Sequence, residues 1–188
     1  MRKFSLLRSQ LLAAWHKTIE GQYAEQLINS ERGLQVYFCK HLLDQFEEKQ
    51  KSRRLFIEPS VTFEDTAPRR VPDIVICDEN KIIGVVEIKY QPRAKPSFIK
   101  DLETLDSFLK SGNCVELANH RYRGERKALQ KFELAPDVVL CWAGVYKAPI
   151  ASVRHPDERI INERVMVLSA VTQSGQRAAV SPSRRVAK

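Results

Sequence analysis

Charged residues interrupt two neighbouring apolar stretches of the chain. Asp73 stands at the head of the run Ile74-Val75-Ile76, and Glu87 and Lys89 stand two positions apart in the next apolar run. Successive side chains of a β-strand point to opposite faces, so Glu87 and Lys89 would share one face of their strand. If the two runs form a hairpin, all three charges meet near its open end.

Two carboxylates in this position favour a bound cation. At about 4 Å apart they repel by about 4 kcal/mol at an effective dielectric of about 20, so they require a proton or a cation. Mg²⁺ prefers oxygen ligands, which Asp73, Glu87 and the backbone carbonyl of Ile88 could supply, and Mn²⁺ is expected to substitute for it. Lys89 could orient or help to deprotonate the attacking water and neutralise charge that develops on a phosphate. The pattern predicts metal-assisted hydrolysis.

A buried cluster of ion pairs is the other interpretation of these three residues. Charges taken out of water recover their lost solvation only with good geometry and further hydrogen bonds, so such clusters are costly. The functional interpretation is therefore favoured. A metal-free enzyme is disfavoured, because the chain has no recognisable nucleophile elbow and no pairing of cysteine with histidine.

The hydrophobic pattern predicts the elements that must position these residues. Apolar residues recur at helical spacing over residues 4–15, 23–46 and 98–109. Stretches rich in Val, Ile and Phe predict strands. These strands are 55–63, 71–77, 82–90, 137–146 and 164–172. Strands that are apolar on both faces indicate a sheet covered on both sides.

This order of elements predicts a single α/β domain over residues 1–173. We expect a helical region at 1–50 and a core at 55–173, with a mixed central sheet of about five strands flanked by helices on both faces. Residues 174–188 contain Arg177, Arg184, Arg185 and Lys188 with no acidic residue, and they predict a basic disordered tail.

The register of the hairpin decides whether the proposed metal ligands can meet. With the two-residue turn Glu79-Asn80, residue 73 would pair with residue 86. Asp73 would then lie on the opposite face from Glu87. The hypothesis therefore requires a three-residue loop or a bulge near Asp73.

Pro72-Asp73, thirteen intervening residues and Glu87-Ile88-Lys89 together resemble the motif of the PD-(D/E)xK nuclease superfamily. The resemblance implies a restriction-endonuclease-like fold over about residues 20–173 and Mg²⁺-dependent hydrolysis of DNA. It also implies a further acidic residue from an upstream helix. Glu31 matches, because it lies on the otherwise apolar stripe of its helix.

The resemblance implies less about other positions. A lysine or glutamine on the helix after the motif corresponds most nearly to Lys100, with Gln91 and Lys95 in the preceding loop. Glu58 and Glu64 on the first predicted strand are alternative ligands, although the alternation around them favours exposed positions.

Composition favours a polyanionic partner. The 188 residues include 31 Lys and Arg against 23 Asp and Glu, a formal net charge of +8 that suits contacts to nucleic-acid phosphates. Four scattered cysteines predict reduced thiols. No stretch is apolar enough to span a membrane, so we expect a soluble, cytoplasmic protein.

A basic segment around residues 120–131 predicts weak phosphate contacts, although a solvated charged face would look similar. Its candidate residues are Arg121, Arg123, Arg126 and Lys127. DNA is the favoured partner, and a homodimer or a larger DNA-processing system is compatible with one motif per chain. The alternative is a catalytically inactive module of this fold that binds nucleic acid or a protein.

Overall fold

The computed structural model describes residues 5–49, 51–63, 68–110, 114–118, 123–125, 129–147 and 165–182. The helices are α1 (Ser5–Lys17), α2 (Glu31–Glu48) and α3 (Ile99–Lys110), and a π-helical stretch (Thr18–Tyr23) continues α1. The strands are β1 (Arg53–Ile57), β2 (Ser60–Phe63), β3 (Ile74–Asp78), β4 (Lys81–Gln91), β5 (Cys114–Ala118), β6 (Leu129–Lys147), β7 (Val165–Thr172) and β8 (Ala179–Ser181).

The described strands form one mixed sheet. Its order is β1-β3-β4-β6-β5-β2, with β7 paired to β6 and β8 paired to β7. The β4–β6 and β6–β7 pairs are parallel, and the other strand pairs are antiparallel. The predicted α/β class with a mixed sheet is confirmed, but the sheet has eight strands instead of about five.

The length of β6 accounts for part of this difference. Its first residues, Leu129–Glu133, pair with β5, and its residues from Val139 onward lie between β4 and β7. The prediction began this strand at residue 137. The earlier part alternates in burial and contains charged residues, so its apolar content is too low to stand out.

The predicted strand 55–63 is in fact two strands. Glu58 has a positive φ of 47°, which ends β1, and β2 then pairs with β5 instead of β3. The Glu58 N–H donates to the Asp73 carbonyl at 2.9 Å. The break is therefore tied to the segment that carries the first candidate metal ligand.

Two further boundaries differ from the prediction. The second helix begins at Glu31, eight residues later than 23, where the Ser30 side chain accepts a hydrogen bond from Gly33 N at 3.0 Å as a helix cap. The segment predicted as a tail from residue 174 includes β8, so that prediction is wrong for Ala179–Ser181. Three-residue strands with little apolar content leave almost no pattern in a sequence.

Each face of the sheet packs against helices. On one face α1 and α2 cover a core that includes Trp15, Phe38 and Val86. On the other face α3 covers a second core that includes Phe108 and Trp142. Each such fully buried side chain contributes about 1.5–3 kcal/mol. The prediction of helices on both faces is confirmed, and none of the described helices is both long and apolar enough to cross a membrane.

A β-bulge sets the register of the β3–β4 hairpin. Asp78 pairs with Lys81 across the turn, but from the Ile76–Gly84 pair onward the register is shifted by one residue. Gly84 accommodates the bulge, because a Cβ there would lie 3.1 Å from side-chain atoms of both Ile76 and Leu7. The required bulge is therefore present, and Ile74 pairs with Val86.

We predict that Gly144→Ala destabilises the fold by about 1–3 kcal/mol. A Cβ at Gly144 would lie 2.1 Å from the ring of Trp142, which is fully buried and has no room to move aside. The free energy of unfolding, measured in urea by tryptophan fluorescence, tests this.

Gly21→Ala is the matched control, because a Cβ there meets no atom within 4 Å and alanine favours helical backbone. Equal stability of the two variants would contradict the prediction.

Candidate active site

The shifted register brings Asp73 opposite Glu87. Ile74 pairs with Val86, so the next position along each strand places residues 73 and 87 across from one another. The Asp73 Oδ2 atom accepts a hydrogen bond from Ile88 N at 2.6 Å. The Asp73 carbonyl accepts from Gln35 Nε2 at 3.0 Å. Contacts from β4 and α2 therefore fix this residue.

Glu87 is a buried acid with an unsatisfied oxygen. It is 6% exposed, and its Oε1 atom has no hydrogen-bond partner among the described residues. Burial, followed by the negative charges of Asp73 and Asp101, raises the pKa of Glu87 to about 10. A hydrogen bond with the Asp73 carboxyl group acts in the same direction. Without a cation, Glu87 is therefore protonated at neutral pH.

Asp73 responds to the same surroundings. Burial raises its pKa above the usual range, and the charges of Glu31 and Asp101 also favour the protonated form. The Ile88 N–H and the Glu87 carboxyl group oppose this by hydrogen bonding to the charged form. Both carboxyl groups are therefore more easily protonated than in water, and a bound cation would relieve the same electrostatic strain.

Lys89 is held by an acid that the sequence did not single out. Its Nζ atom lies 3.4 Å from Oδ1 of Asp101, a buried residue in the first turn of α3. The other oxygen, Oδ2, accepts a hydrogen bond from Trp142 Nε1 at 3.1 Å. Asp101 therefore links the lysine on β4 to the tryptophan on β6.

A sequence signal for Asp101 was present. It lies three residues after Phe98 and four before Leu105, so it belongs to the apolar stripe of α3. The same reasoning selected Glu31 on its own helix. Lys100, the nearest match to the lysine or glutamine that the resemblance implies and a weak candidate for nucleic-acid contact, is exposed.

Glu31 lies at the same end of β4 but makes a different contact from the one predicted. It is the first residue of α2, and its Oε2 atom accepts a hydrogen bond from Tyr90 N at 3.0 Å. Its charge reaches Asp73, as the raised pKa of that residue shows. However, the described part of the chain contains no group of three or more His, Cys, Asp or Glu side chains that could hold a metal ion. Glu31 therefore does not complete a three-carboxylate set here.

The remaining candidates either have side chains whose described contacts do not include Asp73 or Glu87, or lie outside the described residues. Gln91 Oε1 accepts from Ser97 N at 3.1 Å and so fixes the loop before α3. Lys95 and Glu58 are exposed, as is Arg123. The candidates outside the described residues are Glu64, Arg121, Arg126 and Lys127.

The cysteines are free thiols, as predicted. Cys39, Cys77 and Cys141 are buried, and burial raises the pKa of each to about 12. A thiol in that condition is almost entirely protonated at neutral pH and is a poor nucleophile. These three residues therefore give no support to a cysteine-based mechanism.

Comparisons of the chain with protein-family models, with curated proteins and with solved structures find no match. The possible chemistry of the site depends on three side chains. These are the half-buried carboxyl group of Asp73, the buried carboxyl group of Glu87, and a lysine held near them by Asp101.

We predict that Glu87→Gln stabilises the metal-free protein at alkaline pH. The folded-state pKa of Glu87, about 10, lies above the ordinary value of 4.5. Protonation therefore stabilises the fold fully below pH 4.5, and this contribution is lost as pH rises toward 10. Urea unfolding in EDTA between pH 6 and pH 9 should show a falling stability for the wild type and a shallower fall for the variant.

The difference at the upper end of this range should be at least about 1 kcal/mol, because each pH unit between the ordinary and the raised pKa changes the linked stability by about 1.4 kcal/mol and glutamine does not titrate. Glu47→Gln is the matched control, because Glu47 is exposed on α2. Parallel pH profiles for the wild type and Glu87→Gln would show that Glu87 titrates normally.

Proposed function

We propose that this protein is a nuclease of the PD-(D/E)xK type, with a restriction-endonuclease-like fold, that hydrolyses DNA phosphodiester bonds with Mg²⁺. The observation that carries the proposal is the pairing of two carboxyl groups, the half-buried Asp73 and the buried Glu87, across the β3–β4 hairpin. The motif lies on two adjacent strands followed by a helix, which is the arrangement that the sequence resemblance implies.

The donor set fits a hard divalent cation. Carboxylate oxygens are the ligands that Mg²⁺ and Mn²⁺ prefer, and Mg²⁺ commonly uses only one or two of them with water and substrate phosphate completing its shell. Glu87 Oε1 is a buried oxygen without a donor among the described residues. Asp73 and Glu87 would hold the ion, with Glu31 close enough to add its charge.

The ion, when bound, would polarise the phosphate and lower the pKa of a coordinated water. The protein's own contribution is positional. Asp73 is fixed by the Ile88 N–H, and Lys89 is fixed by Asp101 at 3.4 Å. The Lys89 ammonium group can then orient the attacking water and neutralise charge on the phosphate without first being ordered by substrate.

Asp101 acts in this proposal as a positioning residue. Its hydrogen bond from Trp142 and its ion pair with Lys89 use both oxygens, so neither remains to bind a metal ion without losing a partner. Its buried negative charge also balances the lysine. The site then consists of an acidic pair that binds metal and a lysine whose orientation depends on α3.

The overall charge supports a nucleic-acid substrate. The chain carries a formal net charge of +8, which favours association with phosphate backbones. DNA is the proposed substrate on the basis of the resemblance.

We predict that Asp73→Asn and Lys89→Ala each lower DNA cleavage by at least about 100-fold, because one removes a metal ligand and the other the charge that faces the phosphate. Cleavage should be assayed with Mn²⁺ and Mg²⁺ on linear, circular, branched and single-stranded DNA and on RNA, with EDTA as a blank. Lys40→Ala is the matched control, since Lys40 is an exposed lysine paired with Asp44 at 3.0 Å.

Undiminished cleavage by either site variant would overturn the proposed roles. If the wild type binds nucleic acid but neither cleaves it nor gains thermal stability from Mn²⁺, the protein is a non-catalytic binding module instead.

We predict that Asp101→Asn lowers kcat by about 10-fold to 100-fold with little effect on KM, because Lys89 loses the partner that orients it. Asparagine keeps an oxygen for the Trp142 hydrogen bond, so the fold should be preserved. Asp101→Glu should restore part of the rate. A rise in KM with kcat unchanged, or no recovery of the rate in Asp101→Glu, would contradict the positioning role.

A further inference from the structure

A cleft of about 1090 Å³ opens at the end of β4, on the sheet face that α1 and α2 cover. It lies where the parallel strands β4, β6 and β7 end, which is the edge where ligands bind in open α/β sheets. The π-helical stretch and the β7–β8 connection form two of its walls. Tyr90, which lines the cleft, directly follows Lys89 in β4 and donates its N–H to Glu31. Successive residues of a strand alternate between faces, so Tyr90 points away from Glu87 and Lys89. The cleft and the acidic pair therefore lie on opposite faces of the sheet, near the same end of β4.

Three exposed cations face this cleft from separate segments. Arg93 follows β4, Lys147 ends β6, and Arg177 lies in the β7–β8 connection. None of the three forms an ion pair with another residue that the structure describes. Glu20, the acidic residue of the lining, contacts His16 Nδ1 at 2.8 Å. The cleft therefore carries a surplus of positive charge suited to phosphate groups.

One wall of the cleft is aromatic. Tyr23 and Tyr90 pack edge to face with ring centroids 6.3 Å apart, and both are only partly buried. The Tyr90 hydroxyl donates to the Ile28 carbonyl at 3.0 Å, which fixes its ring. Gln26 and Asn29 add amide groups to the same lining. Cations, partly exposed aromatic rings and side-chain amides are the groups that bind unpaired nucleotides.

We propose that the cleft binds an unpaired segment of a nucleic-acid strand, which would pass around the end of β4 to reach the candidate active site. The inference rests on the proposed nuclease function, which supplies the nucleic-acid strand. The volume is that of a site for a drug-sized ligand, which is the size class of one or two nucleotides. Bases in a duplex are stacked and paired, so their faces could not reach Tyr23 and Tyr90.

The test is a binding measurement that does not depend on catalysis. Fluorescence anisotropy in EDTA follows the binding of a labelled single-stranded DNA, a single-stranded RNA of the same sequence and the corresponding DNA duplex. The cleft variant is Arg93→Ala with Arg177→Ala. The control variant is Lys81→Ala with Lys110→Ala, which removes two exposed cations at the start of β4 and the end of α3.

The cleft variant should bind the single strands at least about 10-fold more weakly, whereas the control should stay within about 2-fold of wild type. Loss of two phosphate contacts should also reduce the slope of log K against log salt by about 1.4 for single strands. Duplex binding should change less. An unchanged Kd and salt slope, or an equal loss for duplex and single strand, would overturn the inference.

Binding in EDTA and metal-dependent cleavage are measured separately, so this inference and the proposed function can fail separately. Loss of single-strand binding in the cleft variant, with the control variant unchanged, supports the cleft even if the wild type shows no metal-dependent cleavage. Metal-dependent cleavage by a cleft variant that binds single strands normally would overturn the cleft and leave the nuclease proposal standing.

Discussion

The carboxyl groups of Asp73 and Glu87 lie side by side in a part of the sheet where water cannot solvate them both. Burial and mutual repulsion each oppose two negative charges there, so the raised pKa values of both acids express one electrostatic conflict. Two contacts reduce this repulsion. The Ile88 N–H donates to Asp73, and the positive charge of Lys89 lies near Glu87. A pair of carboxyl groups of this kind lowers the stability of the fold when no cation is bound between them. Destabilising charged groups are concentrated at functional sites.

The surrounding structure serves mainly to keep this pair in place. A bulge in β4 turns Asp73 to the face of Glu87, and Gly84 leaves the room that the bulge requires. On the same face, Phe98, Trp142 and Tyr146 form an aromatic cluster with centroids 4.6–6.4 Å apart. Trp142 in turn donates to Asp101. The orientation of Lys89 therefore depends on packing between β6 and α3, two elements that carry none of the motif.

Local patterns in the sequence were sufficient for the motif residues, for the apolar strands around them and for the helices on both faces. They could not locate the bulge, because any of several positions in the hairpin would restore the register that Asp73 needs. Asp101 was missed although its place on an apolar helix stripe marked it, since the sequence alone does not reveal which strand a helix covers. The split at Glu58 and the pairing of β8 depend on contacts with distant residues, which leave no periodic signal.

The β7–β8 connection has a consequence for how this protein could diverge. Gly175 adopts a φ of +74° in that turn, and β8 is anchored by pairing with β7 and by a contact between His16 Nε2 and the Pro182 carbonyl at 2.8 Å. The anchor and the turn share no residue with the acidic pair or with Lys89. Insertions or substitutions in the turn can therefore reshape one side of the cleft while Asp73, Glu87 and Lys89 keep their geometry. In the proposed nuclease, substrate choice and bond cleavage would be encoded in separate parts of the chain, and each would be free to change under selection without the other.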